Sequence, residues 1–283
     1  EQLTYEEDLA VLEQITKTLD DRVNELERRV KLGKSRDSEL LQSQTSLGQS
    51  RVTLERTRGL LGASRELLAF YTGLRAEQMK LKDTSPPPPD SLTVAEYLAK
   101  TADRADVLAA VQAQRSARAK LSAAKGEHWP TVGFEGNYYL YDSDKIQDGE
   151  WSGFVTVEVP LFEGGTIEAK VNENKALFAK SQLDLTQLQR EAERDVRTSF
   201  SNFNSSLAEL ARLEEAVSTA EMNYQAQQGD YNLGVINNLD VLQSLRELQD
   251  LRRNLAETRH NVRLNLIKLH VNAGDIASVV VPN

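Results

Sequence analysis

The chain has no cysteine among its 283 residues, so disulfides, thiol nucleophiles and thiolate metal sites are all excluded. It is also short of apolar residues. Its 40% hydrophobic share lies below the roughly 45–50% of ordinary globular chains, and mean hydropathy is −0.49. Thin elements fit that better than one thick core. No apolar run approaches the ~18 residues of a spanning helix, whereas a membrane strand leaves only a weak alternating signal and stays open. Basic residues are outnumbered, 34 Lys+Arg against 43 Asp+Glu for a net −9. An acidic chain gains nothing from neutralising phosphates, so no nucleic-acid partner is expected. The first residues, Glu1 to Asp8, carry neither the basic start nor the apolar stretch of a leader. Length alone bounds the chain at roughly one to two domains of about 150 residues.

Catalytic signals are missing too. Of the 3 histidines, His260 and His270 stand too far apart for one helical ligand pair. No zinc helix, phosphate-cradling glycine loop or nucleophile elbow occurs. The carboxylates Glu6-Glu7-Asp8 and Asp20-Asp21 read as solvated helix faces, and Glu27-Arg28-Arg29 and Arg252-Arg253 as surface ion pairs. No enzyme, metal or cofactor is expected.

What is present is helix. Leu9, Leu12, Ile15, Leu19, Val23 and Leu26 recur at three- and four-residue spacing from Thr4 to about Lys31, where Leu32-Gly33 interrupts. A second stretch runs from about Asp37 to Tyr71 and stops at Thr72-Gly73. Pro86 to Pro89 exclude helix and favour an extended linker. An Ala-rich helix is expected from about Val94 to Lys125.

The texture changes at Gly126. Val132, Phe134, Tyr138 and Leu140 alternate with polar neighbours, and so later do Val155, Val157 and Val159. These spell two half-buried strands of about ten residues, the length of a tilted membrane strand. Asp142 to Gly149 form a polar loop between them. Trp129, Tyr141 and Trp151 flank the strands, as a lipid–water boundary favours. An ordinary hairpin covering a soluble core remains the other reading.

After Pro160-Leu161-Phe162-Glu163-Gly164-Gly165, no Pro or Gly interrupts from about Thr166 to Gln228. At 1.5 Å per residue that is on the order of 90 Å of helix, a coiled-coil rod. Leu233-Gly234 breaks it, Asn237-Asn238-Leu239-Asp240 restarts a helix, and Ala273-Gly274 ends that one. Ile276 to Val281 read as a short terminal strand.

Laying Gly33 on Gly234 aligns Tyr5–Gly73 with Ser206–Gly274 without a gap. Leu41-Gln42-Ser43 falls on Leu242-Gln243-Ser244, Arg51 on Arg252, Thr57-Arg58 on Thr258-Arg259, and Gly73 on Gly274. Leu and Glu matches come cheaply from heptad texture. The shared Leu-Gly break, Leu-Gln-Ser run and Gly stop point to duplication. The first copy lacks the opening helix and hairpin of the second, so an N-terminally shortened portion of a longer protein is expected.

Strands feeding Pro160–Gly165, then the long helix, then Tyr231-Asn232-Leu233-Gly234 and Asp240-Val241-Leu242, resemble the TolC-like outer-membrane efflux proteins. The resemblance covers essentially the whole chain and is strongest from Trp129 to Asp275. It implies a mainly α fold: long antiparallel coiled-coil helices form an α-barrel tunnel, and a β-hairpin contributes to a trimeric transmembrane β-barrel. On that pattern residues 1–73 are first-repeat periplasmic helices with a tip turn at 32–36. Residues 74–101 are an equatorial linker, 102–128 an upper helix and 129–163 the outer-membrane hairpin. Residues 164–274 are second-repeat periplasmic helices with a tip turn at 231–238, and 275–283 an equatorial strand.

The implied function is an outer-membrane conduit of a tripartite efflux or type I secretion system. The implied partners are two further copies, outer-membrane lipid, a periplasmic adaptor and, through it, an inner-membrane pump. Adaptor docking would fall on Leu32, Gly33, Lys34 and Ser35 and on Leu233, Gly234, Val235 and Ile236. Asp240 matches an acidic position that pinches the tunnel end in this family, with Tyr231 beside it. The second acidic position is Gln243 here, a departure, and Glu39 and Gln42 are their first-repeat counterparts. Three carboxylates facing one axis make a cation-selective ring. The alternative for Asp240 is helix capping. A soluble coiled-coil scaffold is the alternative for the whole chain, and it leaves the aromatic-flanked strands unexplained.

Overall fold

The computed structural model describes residues 2–75, 81, 93–138 and 151–275. Six helices and one hairpin follow in order: α1 (Gln2–Lys31), α2 (Asp37–Thr72), α3 (Val94–Lys100), α4 (Ala105–Gly126), β1 (Thr131–Tyr138), β2 (Trp151–Glu158), α5 (Thr166–Asn232) and α6 (Asn238–Ala273). They divide into two compact units. One holds α1, α2, the part of α5 from Val196 onward, and α6; the other is Ala95–Asp195. Among the described residues no helix is long and apolar enough to cross a membrane. The Pro86–Pro89 linker, the Asp142–Gly149 loop, Leu140, Tyr141 and the Ile276–Val281 strand lie outside the described residues.

The first unit is two helical hairpins packed together. Leu12, Ile15, Leu19 and Val23 of α1 meet Leu47 and Leu54 of α2 and Leu242 and Leu245 of α6. Val217 and Ala220 of α5 close on Leu248 and Leu255 of α6. Between α2 and α6 a cavity of about 190 Å³ is floored by Leu12, Ile15, Leu242 and Leu245 and rimmed by Gln49, Thr53, Arg246 and Gln249, so this groove is apolar at its base and polar at its rim.

The duplication is visible in the bonding. Arg51–Asp20 at 2.9 Å has its counterpart in Arg252–Glu221 at 2.6 Å, and Arg58–Glu13 at 3.2 Å in Arg259–Glu214 at 3.6 Å. Both tips close alike. Gly33 N–H donates to Val30 O and Lys34 N–H to Arg29 O; Gly234 N–H donates to Tyr231 O and Val235 N–H to Asp230 O. Gly33 (φ 67°) and Gly234 (φ 78°) are left-handed, a conformation that a Cβ penalises. Gly73 and Gly274 cap α2 and α6 in the same way.

Four expectations need correcting. The Val94–Lys125 helix is two helices, separated by a 3₁₀ turn at Thr101–Asp103 and an extended Arg104 (φ −57°, ψ 136°). Side chains compete with the ladder there: Thr101 Oγ1 donates to Leu98 O at 2.7 Å, and Asp106 Oδ1 accepts Val107 N–H at 2.9 Å. The second tip turn, expected at 231–238, is confined to 233–237, because the long helix continues through Gly229 and takes in Tyr231 and Asn232. Val159 lies past the end of β2. Finally, the strands are not half-buried, since no third strand or helix covers the described hairpin.

Candidate aperture, tips and membrane hairpin

In the hairpin, β1 and β2 pair antiparallel with Val132 opposite Val157, Phe134 opposite Val155, Gly136 opposite Gly153 and Tyr138 opposite Trp151. Side chains alternate across a strand, so these residues share one face and Thr131, Glu135, Asn137, Ser152, Thr156 and Glu158 share the other, with Phe154. The apolar face is open, with Phe134 80% and Trp151 74% exposed. Trp129 stands exposed just before β1. A two-stranded ribbon is marginal in water, so such a face needs a partner or a lipid. Gly164 (φ 61°) and Gly165 (φ 83°), consecutive and left-handed, turn the chain from strand into α5.

At the tips, distant segments converge on Tyr231. Its ring is buried with Leu26 and Val241, and the Arg22 guanidinium lies 4.1 Å from the ring centroid. Its hydroxyl donates to Glu39 Oε2 at 3.3 Å, and Ser35 Oγ donates to the same oxygen. Arg22 itself is buried. It donates from Nε and Nη2 to Asn238 Oδ1 at 3.0 and 2.9 Å, and it pairs with Glu25 at 3.2 Å. Asn238 Nδ2 donates to Glu39 O at 3.2 Å and to Ser43 Oγ at 3.0 Å. A buried cation is tolerated only when so compensated. Further up, Arg253 holds Asp8 through two bonds of 2.7 and 3.0 Å, and this hydrogen bond raises the Arg253 pKa despite burial. The two hairpins are therefore joined by polar contacts as well as by the apolar seam.

The residues singled out from the sequence divide here. Tyr231, Glu39 and Ser35 meet. Asp240 is half-buried and completes a capping box: Asn237 Oδ1 accepts Leu239 and Asp240 N–H, and Asp240 Oδ2 accepts Asn237 N–H at 3.3 Å. The capping alternative is thus a fact of the structure. Gln42 and Gln243 are exposed, as are Leu32, Gly33, Lys34, Leu233, Gly234 and Val235, while Ile236 is half-buried against the Tyr231 cluster. Arg22 and Asn238 escaped the sequence reading. A signal existed, because Arg22 interrupts the seam of Leu12, Ile15, Leu19 and Leu26 at a core spacing.

Residues 100–275, more than half of the chain, match the family described as "Outer membrane efflux protein". The chain belongs to this family. Membership assigns it to the outer membrane and sets the soluble scaffold aside. Over 179 residues it is 28% identical to the outer membrane protein TolC of Vibrio cholerae serotype O1, spanning 60% of this chain and 41% of that protein. The chain thus matches well under half the length of this curated relative. Among solved structures, the outer membrane protein VceC of Vibrio cholerae superposes with a TM-score of 0.82 at 19% identity, covering 96% of this chain and 67% of that one. The open-state outer membrane channel MtrE of Neisseria gonorrhoeae gives 0.81 at 17% identity, covering 97% and 64%. These likenesses establish the shared fold.

Proposed function

We propose that this efflux-family chain is one protomer of a homotrimeric outer-membrane channel, the passive conduit of a tripartite efflux or type I secretion system. The observation that carries the reading is the β-hairpin, apolar on one face and bare, in a chain that otherwise builds paired polar-surfaced helices. A hairpin of that kind becomes stable by joining copies of itself into a closed barrel, which satisfies its edges and presents the apolar face to lipid. The helices carry the path onward through the periplasm. Export is passive: nothing in the proposal calls for catalysis by this chain.

Gating belongs to the tip end. Three copies of Asp240 around an axis would form a carboxylate ring that attracts cations and repels itself. Glu39 is less free to contribute, since Tyr231 and Ser35 already donate to it. With Gln243 and Gln42 in place of further acids, the ring is a single one. The tips, Leu32–Ser35 and Leu233–Ile236, are the docking points for a periplasmic adaptor, which connects to an inner-membrane pump.

Planar-bilayer recording on the purified trimer tests this reading. Discrete cation-preferring conductance is expected, and Asp240→Asn should lower the cation preference about severalfold. A trimer that inserts yet passes no ions overturns the conduit.

A further inference from the structure

The two tips share one backbone and differ in charge. Arg28, Lys31, Lys34 and Arg36 surround the exposed Leu32 of the first tip. The residues that the repeat lays on these four are Gly229, Asn232, Val235 and Asn237, without a cation among them. All four cations are exposed, and none makes an ion pair with a described residue. Arg28 and Lys31 have a local explanation, because cations complement the negative end of α1. Lys34 and Arg36 have none. Arg36 occupies the N-cap of α2, where its side chain makes no capping bond and its charge faces the positive end of a helix. The duplicate of that position, Asn237, forms a full capping box on the same backbone. The first copy thus forgoes a better cap in favour of a cation, which is the mark of a residue kept for a partner rather than for the fold.

We infer that the first tip docks an acidic protein segment, a loop or helical turn presenting carboxylates around an apolar side chain that meets Leu32. The second tip, with exposed Leu233 and Val235, no cation and the exposed carboxylate of Asp230 beside them, takes an apolar contact free of carboxylates from the same class of partner. A partner that repeats its own docking motif must therefore alternate an acidic with a neutral version, or it will occupy only one tip of each protomer. Charge of this kind sets register and rejects wrong partners more than it adds raw affinity. The inference rests on the tips being docking points, as proposed above, and it names the chemistry of what docks.

The probe is a synthetic helical-hairpin peptide whose loop carries Leu between two Asp, compared with the same peptide carrying two Lys or two Ser. Binding to the detergent-solubilised protein is read by fluorescence anisotropy at two salt concentrations. The Asp peptide should bind one site per protomer, weaken as salt rises, and lose about tenfold in affinity in the Lys34→Glu/Arg36→Glu variant. Val235→Lys, which brings a cation to the second tip, should add a second site. Equal binding of the Asp and Lys peptides overturns the inference, and so does an unchanged affinity in the reversed variant. Vesicles containing phosphatidylglycerol serve as the competing surface; charge-reversal-sensitive binding to them without peptide binding overturns it in favour of lipid. Conductance is read separately. A conducting trimer that ignores the Asp peptide sinks only the tip chemistry, whereas a non-conducting protein that binds it sinks only the conduit.

Discussion

Arg36 and Asn237 occupy equivalent backbone positions with different capping chemistry. Replacing a capping Asn by Ala costs typically about 1 kcal/mol, and supplying one gains a similar amount. Asn237→Ala should therefore lower the unfolding midpoint in urea and Arg36→Asn should raise it, both read by circular dichroism. If docking uses the cation, the same Arg36→Asn substitution weakens Asp-peptide binding while stabilising the protein. Stability and binding moving in opposite directions is the signature of a residue kept for a partner. Buried Arg22 is a contrasting case, since its neighbours Asn238, Glu25 and Tyr231 compensate it fully.

Elements show where side chains overrule a periodic pattern. The Ala-rich sequence predicts one helix from Val94 to Lys125, yet Thr101, Arg104 and Asp106 divide it. Arg104 Nε and Nη2 donate to the Asp106 carboxylate at 3.0 and 2.7 Å, and these bonds, ahead of any other cause, hold the Asp106 carboxyl below its usual range. A depressed folded-state pKa stabilises the native junction at all pH above the unfolded value, about 3.9. That contribution is lost as pH falls through the lower folded value. Amide exchange around Val107, corrected for intrinsic rates, should accordingly accelerate below about pH 4, and Asp106→Asn should remove that pH dependence. The turns, by contrast, were legible: Leu-Gly twice, Gly-Gly after Phe162 and the two helix-ending glycines all sit at positive φ, where local sterics alone decide. Legible too was the strand alternation, because its period of two is set by backbone geometry.

For the molecule as a whole, the helices and the hairpin divide the work. The helical unit has its own apolar seam, whereas the hairpin has only an uncovered face. Phe134→Arg or Val155→Arg, each a charge on the apolar face, should impair bilayer insertion at a cost of about 2–4 kcal/mol per site near the membrane centre. Thermal unfolding of the helical unit should stay unchanged, since neither residue contributes to its core. Insertion that survives both substitutions would remove the hairpin from the membrane.

The sequence by itself determined what depends on neighbours a few residues apart: most helix spans, left-handed glycines, strand alternation, and the repeat that aligns one tip with the other. It also identified the residues that mark the family. Only the tertiary structure decided which groups meet across long stretches of chain. Tyr231 reaches Glu39, Arg22 reaches Asn238, and Arg253 reaches Asp8, each joining one hairpin to the other. Such pairs are set by how two helical hairpins pack, and packing has no short-range signature beyond a polar residue standing in an apolar seam. The low apolar content belongs to paired helices with thin seams, and among the described residues the hairpin leaves an apolar strand face uncovered.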